Sequence, residues 1–270
     1  MLNARSLFLI AGIATVFLAT ESVLAQQTIK PLGRRIVGGE KTDIEKHPWQ
    51  VALRFQGSFF CGGSIIAAKW ILTAAHCFKF STKAEDWRFK AGATNYVTTG
   101  VWSEVDRIIV HEKYNSTSNE NDIALVKMKT EIKNLPSPRA IALPSASLTI
   151  PTSQPLEVTG WGATQEGGEG SNVLLKATVP LTDTALCNKS AAPGSRVSPT
   201  MICAGYKEGG VDSCQGDSGG PLVWRTPDGP VLVGVVSFGE GCAQKLKYGV
   251  YTRVTAHRDW IDRMEKANGN

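Results

Sequence analysis

Several features that mark other protein classes are scarce in this chain of 270 residues. The formal net charge is only +5 at pH 7, too small to predict nucleic acid or a membrane surface as a partner. After residue 25, no apolar run is long enough to span a bilayer. There is no internal repeat of short fixed period and no low-complexity tract. These absences favour a globular protein, and its abundant glycine predicts many turns.

Cysteine and histidine are scarce as well, with six and four residues. The cysteines are scattered and lack the short paired spacing with histidine that a zinc site requires, so we expect no zinc. Six cysteines in an exported chain predict three disulfides, and the sequence alone allows fifteen pairings. Residues 1–35 contain no cysteine, so no disulfide can tether that segment after a cut.

The first 25 residues have the pattern of a secretory signal peptide. Arg5 gives a positive start, residues 7–19 are mostly apolar, and Val23-Leu-Ala25 offers small residues for cleavage. The apolar run is too short to cross a bilayer, which argues against a membrane anchor. We therefore expect residues 1–25 to direct export, to the extracellular space or, in a bacterium, to the periplasm.

Short β-type runs alternate with turn residues after Ile36, which is typical of a β-sandwich or barrel. Two stretches that contain proline, 134–138 and 143–155, separate the runs into two sets. Helical spacing of apolar residues from Val254 to Met264 predicts an amphipathic C-terminal helix. The runs are residues 50–55, 64–66, 87–91, 105–110, 123–128, 156–160, 174–179, 221–224, 231–237 and 249–254.

The glycine-rich stretch from Asp212 to Pro221 carries the chemistry, because Ser218 stands in it among residues without side-chain bulk. Such a loop can present a hydroxyl and aim backbone N–H groups at one point, and an acyl-transfer enzyme needs both. A serine nucleophile also needs a histidine base, which in turn needs a carboxylate to orient it. His76 and Asp122 are the candidates for these two groups.

Five segments together resemble the trypsin-like (chymotrypsin-fold) serine proteases, in the order found in that family. The resemblance covers Ile36 to about residue 265. It implies an all-β fold of two six-stranded antiparallel β-barrels with a C-terminal α-helix, in one protease domain over residues 36–270. The barrels would divide near 36–145 and 146–270, with the active site in the cleft between them. The segments are Arg35-Ile-Val-Gly-Gly39, Leu72-Thr-Ala-Ala-His-Cys77, Asn121-Asp-Ile-Ala-Leu125, residues 212–221 and Val236-Ser-Phe-Gly239.

The resemblance also implies the roles of the catalytic residues. Ser218 would be the nucleophile, His76 the general base and then the acid, and Asp122 the carboxylate that orients the histidine. The backbone N–H groups of Gly216 and Ser218 would form the oxyanion hole. The expected function is that of a secreted serine endopeptidase, a hydrolase that works through an acyl-enzyme and needs no cofactor or metal.

Substrate specificity follows from the resemblance as well. Asp212 would lie at the base of the specificity pocket, where a carboxylate pairs with a Lys or Arg side chain. Gly239 and Gly249 match the pocket walls, and Ser213 could help to hold the cationic group. We expect cleavage after Lys and Arg in protein and peptide substrates. Protein protease inhibitors are further expected partners, and the protease is expected to be a monomer that binds neither nucleic acid nor, after signal removal, a membrane.

Residues 26–35 are either a disordered linker or a removable propeptide. By resemblance, cleavage between Arg35 and Ile36 would convert a zymogen into the active enzyme. The new ammonium of Ile36 would turn inward and pair with the carboxylate of Asp217, since a buried charge needs a partner. The propeptide has no carboxylate near this bond to oppose self-cleavage, so we expect the precursor to activate itself.

The resemblance selects one disulfide pairing out of the fifteen, and the sequence also departs from the family in places. Phe238 replaces the usual Trp, and Tyr248 stands where an aromatic residue can accompany a sodium site. Residues 91–102 replace an acidic calcium loop without any carboxylate, so we expect no calcium there. The implied disulfides are Cys61–Cys77, Cys187–Cys203 and Cys214–Cys242.

Other hypotheses make contrasting predictions. Gly216-Asp-Ser-Gly-Gly220 also fits the nucleophile elbow of α/β-hydrolases, with Asp228 and His257 following in that order, but an elbow must open a helix. A pseudoprotease should lack a catalytic residue, and a regulatory protease should have narrow specificity. Two sequons, Asn115-Ser-Thr117 and Asn188-Lys-Ser190, are glycosylation sites only in a eukaryotic secretory pathway.

Overall fold

The computed structural model describes residues 36–132, 140–190 and 197–269. The predicted signal peptide, the propeptide with Arg35, and the stretch 134–138 lie outside these described residues. Most of the regular secondary structure in these ranges is β-strand, and there are two α-helices, α1 (Thr184–Ser190) and α2 (Arg258–Ala267). No helix within these ranges has the length and apolar character needed to cross a membrane.

A two-residue strand comes first, and the next six strands close an antiparallel barrel in the order β2-β3-β4-β7-β6-β5. Gln56 and Gly57, which join the first hairpin of the barrel, both have positive φ (43° and 93°), as in a tight turn that matches the twist of its strands. The strands are β1 (Glu40–Lys41), β2 (Gln50–Phe55), β3 (Ser58–Ala67), β4 (Trp70–Thr73), β5 (Trp87–Ala91), β6 (Val101–Val110) and β7 (Ala124–Met128).

A second barrel follows, in the order β9-β10-β13-β12-β11-β8, and pairing of β8 with β9 closes it. All its pairings are antiparallel, and each barrel encloses a buried apolar cluster. Its strands are β8 (Pro155–Gly160), β9 (Leu175–Thr182), β10 (Met201–Ala204), β11 (Pro221–Thr226), β12 (Gly229–Phe238) and β13 (Gly249–Arg253). The predicted fold class is therefore confirmed.

The division between the barrels near residue 146 stays a prediction. Two segments, β1 and α2, contact residues on the far side of this boundary. Strand β1 pairs with β9, with Glu40 opposite Lys176. Helix α2 follows the last strand of the second barrel. Trp260 and Ile261 join a buried cluster that consists mostly of first-barrel residues but also includes β11 and β12 residues of the second barrel. Strand β1 and helix α2 thus each contact residues of a barrel other than the one next to them in sequence.

Strands β1, β4 and β10 and helix α1 were not predicted from the sequence. Every residue of β4 and β10 is buried, so neither strand shows the alternation of apolar and polar residues that marks a half-buried strand. A short, wholly apolar run cannot be distinguished by periodicity from part of a buried helix. The two strands therefore needed their neighbours in the barrels to identify them.

Three disulfides are present, with the pairing that the resemblance implies. The first, Cys61–Cys77, joins β3 to the 3-10 turn that carries His76. Cys187–Cys203 joins α1 to β10, and Cys214–Cys242 joins the loop before Ser218 to the segment after β12. Two of the three bonds therefore brace segments that carry candidate site residues.

Candidate active site

His76 and Asp122 are brought together by two neighbouring strands of the first barrel. Thr73, at the end of β4, lies opposite Ala124, at the start of β7. His76 follows β4 in the 3-10 turn Ala75–Phe78, and Asp122 lies two residues before the start of β7. Because the strands are antiparallel, the residue after one and the residue before the other lie at the same end of the barrel.

The Asp122 carboxylate holds His76 at two points. Its Oδ1 accepts a hydrogen bond from the backbone N–H of His76 at 2.8 Å, and its Oδ2 lies 2.7 Å from His76 Nδ1. A carboxylate can only accept here, so Nδ1 carries the hydrogen and Nε2 keeps a free lone pair. The carboxylate is fully buried, whereas the His76 side chain is 23% exposed. The imidazole is thus oriented from its buried edge and can accept a proton at Nε2.

Two hydroxyl groups of the second barrel complete the surroundings of Asp122. The Ser237 hydroxyl, on β12, donates to Asp122 Oδ2 at 2.5 Å. The Thr252 hydroxyl, on β13, donates to the backbone oxygen of Asp122 at 2.7 Å. Sequence reasoning assigned neither residue a role, because these contacts span more than 100 residues and no motif records them. Asp122 therefore lies where the two barrels meet.

The loop that carries Ser218 packs against the first barrel beside His76. Ser218 contributes its backbone oxygen to a hydrogen bond from Gly62 N–H at 2.7 Å. At Gly219, φ is +77°, and an added Cβ would lie 2.2 Å from Thr73 Oγ1, so only glycine fits. No hydrogen bond joins Ser218 Oγ to His76 in this structure, although such bonds often form only with substrate bound.

Alternate N–H groups of this loop remain available as donors. Asp217 and Gly219 donate their N–H groups to backbone oxygens of the chain. The N–H groups of Gly216 and Ser218 have no acceptor within the described ranges. Gly216 has φ of +92°, a conformation that other residues rarely adopt. Two free donors on either side of Asp217 fit the requirement for binding an oxyanion.

Asp217 is fully buried beneath the loop. Its Oδ1 accepts the N–H of Gly162 at 2.8 Å, and its Oδ2 accepts the N–H of Cys214 at 3.0 Å. Burial raises the pKa of Asp217 to about 6, while these two bonds lower it. No Lys, Arg or His side chain in the described part of the chain forms an ion pair with it. The site therefore favours either a proton on Asp217 or a cation beside it.

The first residues after the expected activation cleavage lie close to this region. The Ile36 side chain is fully buried and belongs to the core cluster of the second barrel. Val37 forms a β-bridge with Asp212, whose N–H donates to Val37 O at 3.1 Å. The segment that would carry the new ammonium is thus anchored to the same loop as Asp217.

Asp212 lies six residues before Ser218 and is only 4% exposed. Its Oδ1 accepts the N–H of Ser213 at 2.8 Å, and its Oδ2 accepts the N–H of Ala243 at 3.3 Å. The hydroxyls of Ser213 and Tyr251 lie 3.4 Å apart next to it. Burial raises the pKa of Asp212 to about 7, against the effect of its backbone hydrogen bonds. An ionised Asp212 would therefore be stabilised by a cation that enters from outside.

Gly249 and Gly239 leave room above this carboxylate. A Cβ at Gly249 would lie 2.8 Å from Asp212 Oδ1, so any side chain there would cover the carboxylate. A Cβ at Gly239 would have Gly241 O as its nearest neighbour, at 3.7 Å, so a side chain could occupy the space between. Tyr248, next to Gly249, has a buried hydroxyl without a hydrogen-bond partner in the described ranges.

The nucleophile elbow of α/β-hydrolases does not fit this site. Ser218 is followed by strand β11, which begins at Pro221, and not by a helix. His257 is buried, and its ring nitrogens lie 2.9 Å from Arg253 O and 3.2 Å from Asn121 Oδ1. The order of residues alone suggested that alternative, and the local structure excludes it.

Two closed antiparallel barrels that hold His76, Asp122 and the Ser218 loop at their junction define the architecture of the chymotrypsin-fold serine proteases. The family model described as Trypsin matches residues 36–261, and the chain belongs to this family. It is 38% identical over 237 residues to transmembrane protease serine 11C of Mus musculus, which covers 87% of this chain. It is 42% identical over 237 residues to serine protease 56 of Mus musculus, which covers 86% of this chain. The chain spans 55% and 39% of the lengths of these two relatives.

Proposed function

We propose that this protein is a secreted serine endopeptidase that cleaves after Lys and Arg and is made as a zymogen. The observation that carries the catalytic part is the two-point hold of Asp122 on His76. It orients the ring with Nε2 as the proton acceptor, which is what a serine nucleophile requires of its base. The neighbouring Ser218 loop, with its free N–H groups, supports the same assignment.

In the proposed reaction, Ser218 Oγ attacks the carbonyl carbon of the substrate while His76 Nε2 takes the hydroxyl proton. The N–H groups of Gly216 and Ser218 bind the negative oxygen of the tetrahedral intermediate. His76 then gives the proton to the leaving amine, and the C–N bond breaks to leave an acyl-enzyme. A water molecule repeats the sequence, releases the acid product and restores Ser218. Asp122 stabilises the charged imidazolium in both halves.

Specificity for Lys and Arg rests on Asp212. A buried carboxylate whose pKa is raised to about 7 gains more from an incoming cation than a solvated carboxylate would. Gly249 and Gly239 leave space for a long side chain, and Ser213 adds a hydroxyl beside the carboxylate. An apolar substrate side chain would leave the buried Asp212 carboxylate without a charge partner. Binding of such a side chain is therefore disfavoured.

Activation by cleavage between Arg35 and Ile36 would act through Asp217. Burial disfavours the charged form of the Asp217 carboxylate. The positive charge of the new Ile36 ammonium would offset this cost by pairing with the carboxylate. Asp217 stands between the two proposed oxyanion donors, so its pairing would order Gly216 and Ser218 together. The propeptide sequence ends in Arg35, the side chain that Asp212 would select, which supports activation by the protease itself.

Export is proposed from residues 1–25 and from the three disulfides, which persist in oxidising compartments. The proposed domain comprises residues 36–270, acts as a monomer and needs no cofactor. Its proposed partners are proteins and peptides with Lys or Arg at the cleaved position, and protein inhibitors that present the same residues.

Purified precursor tests this proposal directly. Wild-type precursor should be cut with an accelerating, concentration-dependent time course, and the new N-terminus should be Ile36. The Ser218→Ala precursor should stay intact, and an Arg35→Gln precursor should yield no Ile36 N-terminus although its catalytic residues are unchanged. If wild-type precursor is cut only after a foreign protease is added, self-activation is wrong. If the correctly cut protein then fails to cleave peptides after Lys or Arg, the proposed function is wrong.

A further inference from the structure

The two sequons of this chain, Asn115-Ser-Thr117 and Asn188-Lys-Ser190, play no part in the proposed catalysis. We propose that the folded, exported protein carries an N-linked oligosaccharide on Asn115 and none on Asn188. The inference rests on the proposed export, in a eukaryotic secretory pathway. It follows from the different bonds that the two side-chain amides make in the fold.

Asn115 lies in the loop between β6 and Asp122, and all three residues of its sequon are exposed. Its Oδ1 accepts the N–H groups of Thr117 at 2.8 Å and Ser118 at 3.1 Å. Its backbone N–H donates to Glu120 O at 3.0 Å. Within the described ranges, Asn115 Nδ2 donates to no acceptor. A substituent on this nitrogen would therefore extend into solvent without breaking a bond of the fold.

Asn188 lies in α1, next to Cys187 and its disulfide. Its amide bonds both backbone groups of one residue: Oδ1 accepts the N–H of Val197 at 2.8 Å, and Nδ2 donates to Val197 O at 3.3 Å. Val197 is buried in the cluster that surrounds this disulfide. The Asn188 amide thus ties α1 to the segment that leads into β10.

The geometry of the glycosylated amide decides between the two sites. In the transfer, Nδ2 loses one proton and bonds to sugar C1, while the bond from C1 to the diphosphate of a lipid-linked oligosaccharide donor breaks. The product is a secondary amide, which is planar and prefers the trans form. Sugar C1 therefore lies on the same side of the amide as Oδ1.

Asn188 uses the same side of its amide, the side of Oδ1, for its two hydrogen bonds to Val197. While Oδ1 accepts from the Val197 N–H, the Nδ2 hydrogen that reaches Val197 O is the hydrogen on the same side as Oδ1. A sugar would take the place of this hydrogen and collide with Val197. Chains glycosylated at Asn188 before folding would therefore lose the hydrogen bond from Asn188 Nδ2 to Val197 O. The exported, folded population carries the oligosaccharide at Asn115 alone.

The test uses full-length Ser218→Ala protein secreted by a eukaryotic host, so that self-digestion does not interfere. Treatment with peptide-N-glycosidase should remove the mass of one oligosaccharide, and mass spectrometry should find Asn115 converted to Asp. The Asn115→Gln and Thr117→Ala variants should each lose the whole mass shift. The Ser190→Ala variant destroys the second sequon but keeps the Asn188 amide, and its mass shift should be unchanged.

An oligosaccharide on Asn188 of the secreted, folded protein would overturn the inference, and so would an unmodified Asn115. Absence of the protein from the medium would contradict the proposed export and the inference with it. Peptide cleavage by the activated wild-type protein is measured separately. A protein with an unmodified Asn115 but with protease activity after Lys or Arg would disprove this inference alone.

Discussion

Asp122 and Asp212 are both almost fully buried, at 0% and 4% exposure, but their partners differ. The two carboxylate oxygens of Asp122 accept three hydrogen bonds, two from His76 and one from the Ser237 hydroxyl. Asp212 accepts two backbone N–H groups and the Ser213 hydroxyl at 3.5 Å, and no cationic side chain in the described ranges pairs with it.

The difference shows how a buried carboxylate can serve two purposes. Asp122 has its partners inside the fold, which makes it suited to hold another side chain in one orientation. Asp212 has a raised pKa and open space between glycines above it, so its charge is best stabilised by a ligand. On this account, removing Asp122 should affect the reaction of every substrate, whereas removing Asp212 should affect the choice of substrate.

The largest expected loss concerns Ser218 and His76, the proposed nucleophile and its base. Ser218→Ala and His76→Ala should each lower kcat by about 10^6-fold, and the double variant should lose little more, because the three groups act as a unit. The measurement is single-turnover kinetics on one Arg peptide for all four proteins, each cut after Arg35 by added trypsin, which is then removed. Losses that multiply in the double variant would contradict the proposed roles.

The next largest effect on kcat comes from Asp122 itself, and it can be compared with the effect of losing the Ser237 hydroxyl. Asp122→Asn should lower kcat by about 10^4-fold, the size measured for this change elsewhere in the family, because the His76 tautomer changes. Ser237→Ala removes one donor to the same carboxylate and should cost only about tenfold. Comparison of kcat for the two variants checks this order, and a Ser237→Ala loss as large as that of Asp122→Asn would reject it.

Whether a site residue can be predicted from the sequence depends on how far apart in the chain its contacts lie. Ser218 and His76 stand in short motifs, so their roles could be proposed from neighbouring residues alone. Ser237 was within a recognised segment, but its hydrogen bond to Asp122 crosses from one barrel to the other. Such a bond exists only once both barrels have closed, and no local pattern encodes it.

The fold follows the same rule. Strands such as β5, in which apolar residues alternate with Arg88 and Lys90, could be predicted, whereas the wholly buried β4 and β10 could not. The C-terminal helix was predicted from its apolar spacing. That spacing does not say which part of the fold the helix covers, and Trp260 packs against His111, directly after β6 of the first barrel. Local periodicity predicts an element, and its position requires tertiary contacts.

A smaller effect concerns the titration of Asp212. The pKa of about 7 in the folded protein means that, without a bound substrate, the Asp212 carboxyl is mostly protonated at pH 5 and mostly ionised at pH 8. A cationic side chain binds the ionised form, so the affinity of an Arg peptide should fall by up to about 100-fold from pH 8 to pH 5. Calorimetry on cleaved Ser218→Ala protein measures this change and the proton released at pH 6.

Two controls accompany that titration. Adding His76→Ala should preserve the pH dependence, which would show that the His76 side chain is not its cause. Asp212→Asn should bind weakly and almost equally at both pH values. Affinity of the Ser218→Ala protein that is flat between pH 5 and 8 would contradict the account of Asp212.

The smallest expected effect is the response to calcium removal. Residues 91–102 have no carboxylate, and the Lys90 ammonium donates to the backbone oxygens of Tyr96 and Val97 at 2.7 and 3.4 Å. The positive charge of the Lys90 ammonium, next to these oxygens, disfavours the binding of a second cation there. A chelator should therefore shift Tm by less than about 1 °C in thermal unfolding of the Ser218→Ala protein. A large drop that calcium reverses would show that the loop binds the ion.

The central claim is that Asp212 selects the substrate while His76, Asp122 and Ser218 carry out the reaction. The most direct test is to compare wild-type and Asp212→Ser proteins, both cleaved after Arg35 and freed of the activating protease, on one peptide library. Wild type should cleave after Lys and Arg. The variant should lose about 10^2- to 10^3-fold in kcat/KM on those bonds, because the charge partner is gone, but keep its reaction with a small active-site acylating reagent. Undiminished cleavage after Lys and Arg by the Asp212→Ser protein would contradict the claim.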